Sequence, residues 1–182
     1  MDSTSMEGRW MTRANALTAV RLVCAPVIAT AVASGADGIA LAAFLAAIVS
    51  DWFDGPVARR YGEASPLGGF FDHVTDAVFV TTGLTAVALT GEGTLWLPPL
   101  IVAAFVQYTL DSGTPRGRPL RASALGRWNG IAYFVLLGVP VVRDGLSLGW
   151  PPPAWTTVGA WLLVAATLVS AADRMSSRYR TS

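Results

Sequence analysis

The chain has 182 residues, of which 53% are hydrophobic and only 14% charged, with a net charge of +1 and a mean hydropathy of +0.49. A soluble domain of this size carries nearer a quarter charged residues, so disorder, a fibrous repeat and a highly charged nucleic-acid binder are excluded. The composition points to one domain over 1–182, with a short N-terminal segment at 1–14, whose solvent is mostly lipid.

Six apolar stretches follow one another at 16–34, 38–57, 67–89, 95–110, 124–142 and 154–172. Each is near the ~20 residues a helix needs to cross a hydrocarbon core of ~30 Å. Breaks rich in Gly, Pro and Ser separate them at 35–38, 62–66, 91–94, 112–118 and 146–153. The expected fold is an all-α integral membrane protein with six transmembrane helices. Arg9, Arg13, Arg59, Arg60, Arg116, Arg118, Arg121, Arg127, Arg174, Arg178 and Arg180 then fall at one face, Arg143 falls opposite, and Arg21 lies inside the first span. By the positive-inside rule both termini are cytoplasmic. A cleavable signal peptide is the rival reading of the N-terminus, with Ala31-Val32-Ala33 as its cleavage site. Arg21 interrupts its apolar region, and cleavage would leave five spans.

Residue types narrow the chemistry. All 13 basic residues are arginine, which genome base composition explains and which removes Schiff-base and P-loop lysines. Cys24 is the single cysteine and His73 the single histidine. They leave no intrachain disulfide, no Cys-based zinc cluster and no His-rich metal site.

The second and third spans hold four of the chain's 12 acidic residues, Asp51, Asp54, Asp72 and Asp76. A carboxylate in a membrane span is costly and marks function by default. Asp51, Asp54, Gly55 and Ala58 share one helix face, and Gly68, Asp72 and Asp76 recur at intervals of four on the next. An antiparallel pair of helices would aim two carboxylates from each at one point. Oxygen-only ligands suit Mg²⁺ or Mn²⁺, and four carboxylates suffice for two such ions beside a transferring phosphate. Gly55, Ala58 and Gly68 leave room for a group to approach the backbone, or equally for close helix packing. Arg59 can fork onto a phosphate or simply mark a helix end.

Asp51, Asp54, Gly55, Ala58, Arg59, Gly68, Asp72 and Asp76 agree with all eight fixed positions and every gap of the signature of the CDP-alcohol phosphatidyltransferase family. The chain resembles that family over nearly its whole length. Asn15-Ala-Leu-Thr18-Ala-Val-Arg21 also resembles the start of the family's first transmembrane helix.

The resemblance implies a bacterial, multi-pass enzyme of the cytoplasmic membrane, with its active site near the cytoplasmic side. It implies transfer of a phosphatidyl group from CDP-diacylglycerol to an alcohol, with release of CMP. Asp51, Asp54, Asp72 and Asp76 would bind two divalent cations, and Asp76 would also be the general base. Asn15, Thr18, Gly55, Ala58, Arg59, Ser65 and Gly68 would line the CDP-lipid site, and a homodimer is implied. His73, at a variable position, reads as structural.

Before the fifth span, Arg121 and Arg127 are the residues expected to grip an anionic acceptor, although a loop obeying charge topology explains part of this cluster. A phosphorylated alcohol follows, with glycerol 3-phosphate ahead of inositol phosphate. Size and the absence of extra domains resemble the phosphatidylglycerophosphate synthase type. Serine and phosphatidylglycerol remain as acceptors, and a cation transporter using intramembrane carboxylates remains as a reading of another class.

Overall fold

A computed structural model describes residues 13–60, 66–111 and 124–179. Six helices and no strand occur among the described residues. They are α1 (Arg13–Ser34), α2 (Asp37–Arg60), α3 (Pro66–Leu89), α4 (Leu97–Asp111), α5 (Ala124–Gly145) and α6 (Pro153–Tyr179). Each coincides with one of the apolar stretches. Two boundaries differ for local reasons. α4 starts at Leu97 because Pro98 and Pro99, which lack an N–H, sit best in a first turn. α6 runs seven residues past 172, because 173–179 contains neither Gly nor Pro and stays helical.

Three tight turns close one end of the bundle. After α1, Gly35 takes φ +69°, its N–H donates to the Val32 carbonyl and that of Ala36 to Ala31. After α3, Gly91 takes φ +92° and the same pair of bonds recurs from Gly91 to Ala88 and from Glu92 to Val87. After α5, Ser147 fills the left-handed position at φ 52°. Its N–H bonds to the Asp144 carbonyl, and the Leu148 N–H bonds to Arg143. Each pair satisfies two of the last four carbonyls of a helix. Hence α1 and α2, and α3 and α4, are joined by short connections at this end.

α1 packs against α2 and α3, while α5 packs against α2, α3 and α6, and α4 against α3 and α6. Ile28, Ala47, Phe79 and Leu137 are wholly enclosed. Phe44, Phe79 and Phe134 form a stacked row with centroid separations of 6.4 and 6.0 Å. Gly83 and Gly138 permit this approach. A Cβ at Gly83 would lie 2.7 Å from a Leu137 methyl, and one at Gly138 2.7 Å from the Phe44 ring.

Large apolar side chains also cover the outside, among them Leu22, Val23, Val102, Val135, Trp161 and Leu162. By length and composition, one helix among the described residues qualifies for a membrane crossing, at Pro153–Ser176. The apolar parts of α1 and α4, Thr18–Ser34 and Leu97–Leu110, are shorter. α2 and α3 are long enough at 24 residues each, but they carry the acidic cluster near one end.

Candidate active site

At the end of the bundle away from the three turns, α1 crosses α2 and α3 with Arg21 at the crossing. Asp51 comes from the second half of α2, and Asp72 and Asp76 come from the first half of α3. The four-residue interval places the two α3 carboxylates on one face. Three carboxylates meet the Arg21 guanidinium. Nη1 pairs with Asp76 and, at 3.1 Å, with Asp51, while Nη2 donates to Asp72. The Arg21 side chain is fully enclosed, whereas those of Asp51, Asp72 and Asp76 are 50, 30 and 24% exposed. The acids therefore line an accessible surface and the arginine lies behind them.

Beside this cluster lies a cavity of about 460 Å³. Asp51, His73 and Asp76 line its wall, as do Arg127 of α5 and Arg174 of α6. Gln107, Asn129, Tyr133, Thr167 and Ser170 add polar groups to an otherwise apolar lining. Several are already fixed. The Tyr133 and Thr167 hydroxyls share a hydrogen bond of 2.6 Å, and Gln107 Nε2 donates to the Ala171 carbonyl at 3.2 Å. Arg174 lies over the Tyr108 ring at 5.3 Å, and the His73 ring meets Tyr108 edge-on at 6.3 Å. An anionic head with an apolar neighbour suits such a lining.

The donor set fits hard divalent cations. Three carboxylates converge on a point where a positive charge already sits, and ligand atoms of Asp72, His73 and Asp76 lie within 4.8 Å of one another. Carboxylate oxygens dominate this group, as Mg²⁺ and Mn²⁺ require.

Other expected site residues are placed less fully. Asp54, Gly55, Ala58 and Arg59 lie on α2 and Asn15 on α1, but their side chains fall outside the described residues. Ser65 and Arg121 also lie outside them. Thr18 is buried one turn before Arg21, and Gly68 lies one turn before Asp72. Arg127 reaches the cavity.

Three residues at this site were not assigned from sequence. Arg21 was recognisable as a lone charge in an apolar span, the signal that marks function. Arg174 lies beyond the apolar stretch at 154–172, where its charge fits the positive-inside pattern, and the longer α6 carries it to the cavity. His73 stands on the cavity wall and within reach of the acids, which its structural reading did not anticipate.

The model of the CDP-alcohol phosphatidyltransferase family matches residues 11–172. The chain is 36% identical over 95 residues to a probable phosphatidylglycerophosphate synthase of Mycobacterium tuberculosis, covering 49% of this chain and 46% of that protein. It is 29% identical over 144 residues to a CDP-diacylglycerol–glycerol-3-phosphate 3-phosphatidyltransferase of Cereibacter sphaeroides, covering 73% and 64%. It is 28% identical over 162 residues to a Mycobacterium tuberculosis protein with a provisional cardiolipin synthase name, covering 87% and 75%. The match thus spans about half the length of the first of these relatives.

Proposed function

The chain belongs to the CDP-alcohol phosphatidyltransferase family, and from that premise we propose that it transfers a phosphatidyl group from CDP-diacylglycerol to glycerol 3-phosphate, releasing CMP. The observation that carries this reading is the shared cavity, whose wall holds Asp51 and Asp76 together with Arg127 and Arg174. The acids suit the reacting phosphates through bound cations, and the arginines suit a phosphate on the acceptor. Three relatives bear names that specify glycerol 3-phosphate as acceptor. The relative with a cardiolipin synthase name favours a second reading, in which phosphatidylglycerol is the acceptor.

Asp51, Asp54, Asp72 and Asp76 would hold two divalent cations, Mg²⁺ or Mn²⁺. When bound, these supply charge neutralisation at the pyrophosphate and the leaving CMP. Asp76, buried deepest of the three described carboxylates, takes the proton of the acceptor hydroxyl. That oxygen forms its bond to the lipid-side phosphorus while the bond from this phosphorus to CMP breaks. Asn15, Thr18, Gly55, Ala58, Arg59, Ser65 and Gly68 line the CDP-lipid, with Arg59 countering phosphate charge. Arg127 and Arg174 orient the acceptor phosphate, with Arg121 preceding Arg127 in the segment that leads into α5.

Six crossings with cytoplasmic termini complete the proposal, in the cytoplasmic membrane of a bacterium and as a homodimer. The arginine distribution, the family's membrane association and the exposed apolar surface support this topology.

An acceptor panel tests the reading. Purified protein in CDP-diacylglycerol vesicles is given glycerol 3-phosphate, inositol phosphate, serine or phosphatidylglycerol, and CMP is measured. Glycerol 3-phosphate should give the fastest release. Faster release with phosphatidylglycerol would select the second reading. Cation flux with no CMP from any acceptor would select a transporter.

A further inference from the structure

An arginine in an apolar helix stays buried only when its charge is met. Arg21 is met from two other helices, by Asp51 of α2 and by Asp72 and Asp76 of α3. Among the described residues, one positive charge thus faces three negative ones. Without it the carboxylates would repel one another and push α2 from α3. The oxygens that the guanidinium holds are Oδ1 of all three acids. A divalent cation bound by the same acids needs oxygens from the same set.

We propose that Arg21 is an internal counter-ion that competes with the first divalent cation for Asp51, Asp72 and Asp76. It holds the acidic cluster assembled before cations arrive and yields carboxylate oxygens as they bind. This rests on the reading that the cluster takes divalent cations, and it adds a positioning residue from α1 that sets their affinity. The device makes α1 part of the metal site without making Arg21 a ligand. Its consequence is a site whose affinity for cations is weaker than its own carboxylates would give.

The test is direct binding of Mn²⁺ to the purified full chain in detergent, followed by the loss of the free-ion EPR signal. Wild type, Arg21→Lys and Arg21→Gln are compared, and thermal unfolding is recorded with and without Mn²⁺. Arg21→Gln should bind Mn²⁺ at least tenfold more tightly than wild type. It should also unfold at a lower temperature without metal and gain more from Mn²⁺. Should Arg21→Gln not fold, Arg21→Lys still decides, because it keeps the charge but loses the two-pronged fork. It should bind severalfold more tightly than wild type. Equal or weaker binding by the variants that fold would overturn the inference while leaving the metal reading intact. Absence of Mn²⁺ binding in every form, wild type included, would overturn both.

Discussion

The two ends of the bundle each bury an arginine among acids, and they use it differently. At the end with the three tight turns, Arg143 makes two hydrogen bonds of 2.8 Å to Glu92, one to each carboxylate oxygen. It makes two more to Asp144, at 2.6 and 2.8 Å. Its Nη1 also donates to the Pro151 carbonyl at 3.4 Å. This group joins the turn after α3, the end of α5 and the connection to α6, and Arg143 and Glu92 are almost fully enclosed. At the other end one guanidinium serves three acids among the described residues, and these acids are more exposed than it is. A buried pair with its hydrogen bonds matched can rigidify a fold. A surplus of carboxylates around one arginine, open to a cavity, retains negative charge for a ligand. The same residue types thus give a fastening at one end and an accessible acidic cluster at the other.

If that contrast holds, the largest effects on turnover come from the cavity end. Asp76→Asn should lower CMP release by roughly a thousandfold, within the range for loss of a general base, while CDP-diacylglycerol binding survives at reduced affinity. Asp51→Asn should instead weaken metal and nucleotide binding together. Equilibrium binding of the CDP-lipid beside a turnover assay separates the two, and wild-type rates in Asp76→Asn would remove it from the mechanism.

At the turn end the effect should fall on stability. Glu92→Ala leaves Arg143 with half of its carboxylate partners and should cost about 3 kcal/mol, read from denaturant unfolding in detergent. Its kcat, measured where it remains folded, should stay within about twofold of wild type. A large kcat loss in the folded variant would break the comparison.

Arg127→Ala and Arg174→Ala should each raise the acceptor KM about ten- to a hundredfold, as loss of a charge-assisted hydrogen bond of about 1.5–3 kcal/mol implies. The KM for CDP-diacylglycerol should move much less. Arg121→Ala should resemble them and Arg116→Ala should do little. Unchanged acceptor KM in all of them would favour an uncharged acceptor.

The smallest effect concerns the aromatic ring under Arg174. Tyr108→Leu removes a contact of about 1 kcal/mol and should raise the acceptor KM about fivefold. Tyr108→Phe keeps the ring face and should behave as wild type.

Helix positions were legible in the sequence because outward-facing and core residues are both apolar, so each helix reads as one run between Gly- and Pro-rich breaks. The Asp51 and Asp72–Asp76 convergence was legible because spacing of three and four residues fixes a helix face. Arg21 was not assigned, since its partners lie 30 to 55 residues away and nothing local states that α1 crosses both acidic helices. By charge topology alone Arg143 is an exception. Its acids are the neighbouring Asp144 and the distant Glu92, and only the fold brings Glu92 to it. Arg174 was hidden by the polar composition of the last turns of α6, which says little about where a helix ends.

The central claim is that the carboxylate surplus, and not the fastened pair, carries phosphatidyl transfer. The most direct measurement is CMP release from CDP-diacylglycerol vesicles with glycerol 3-phosphate, in Mg²⁺ or Mn²⁺ and in EDTA. It compares wild type, Asp72→Asn and Glu92→Ala below its unfolding temperature. Release should require the metal, disappear in Asp72→Asn and persist in Glu92→Ala. Undiminished release in EDTA, or from Asp72→Asn with metal present, would contradict the account.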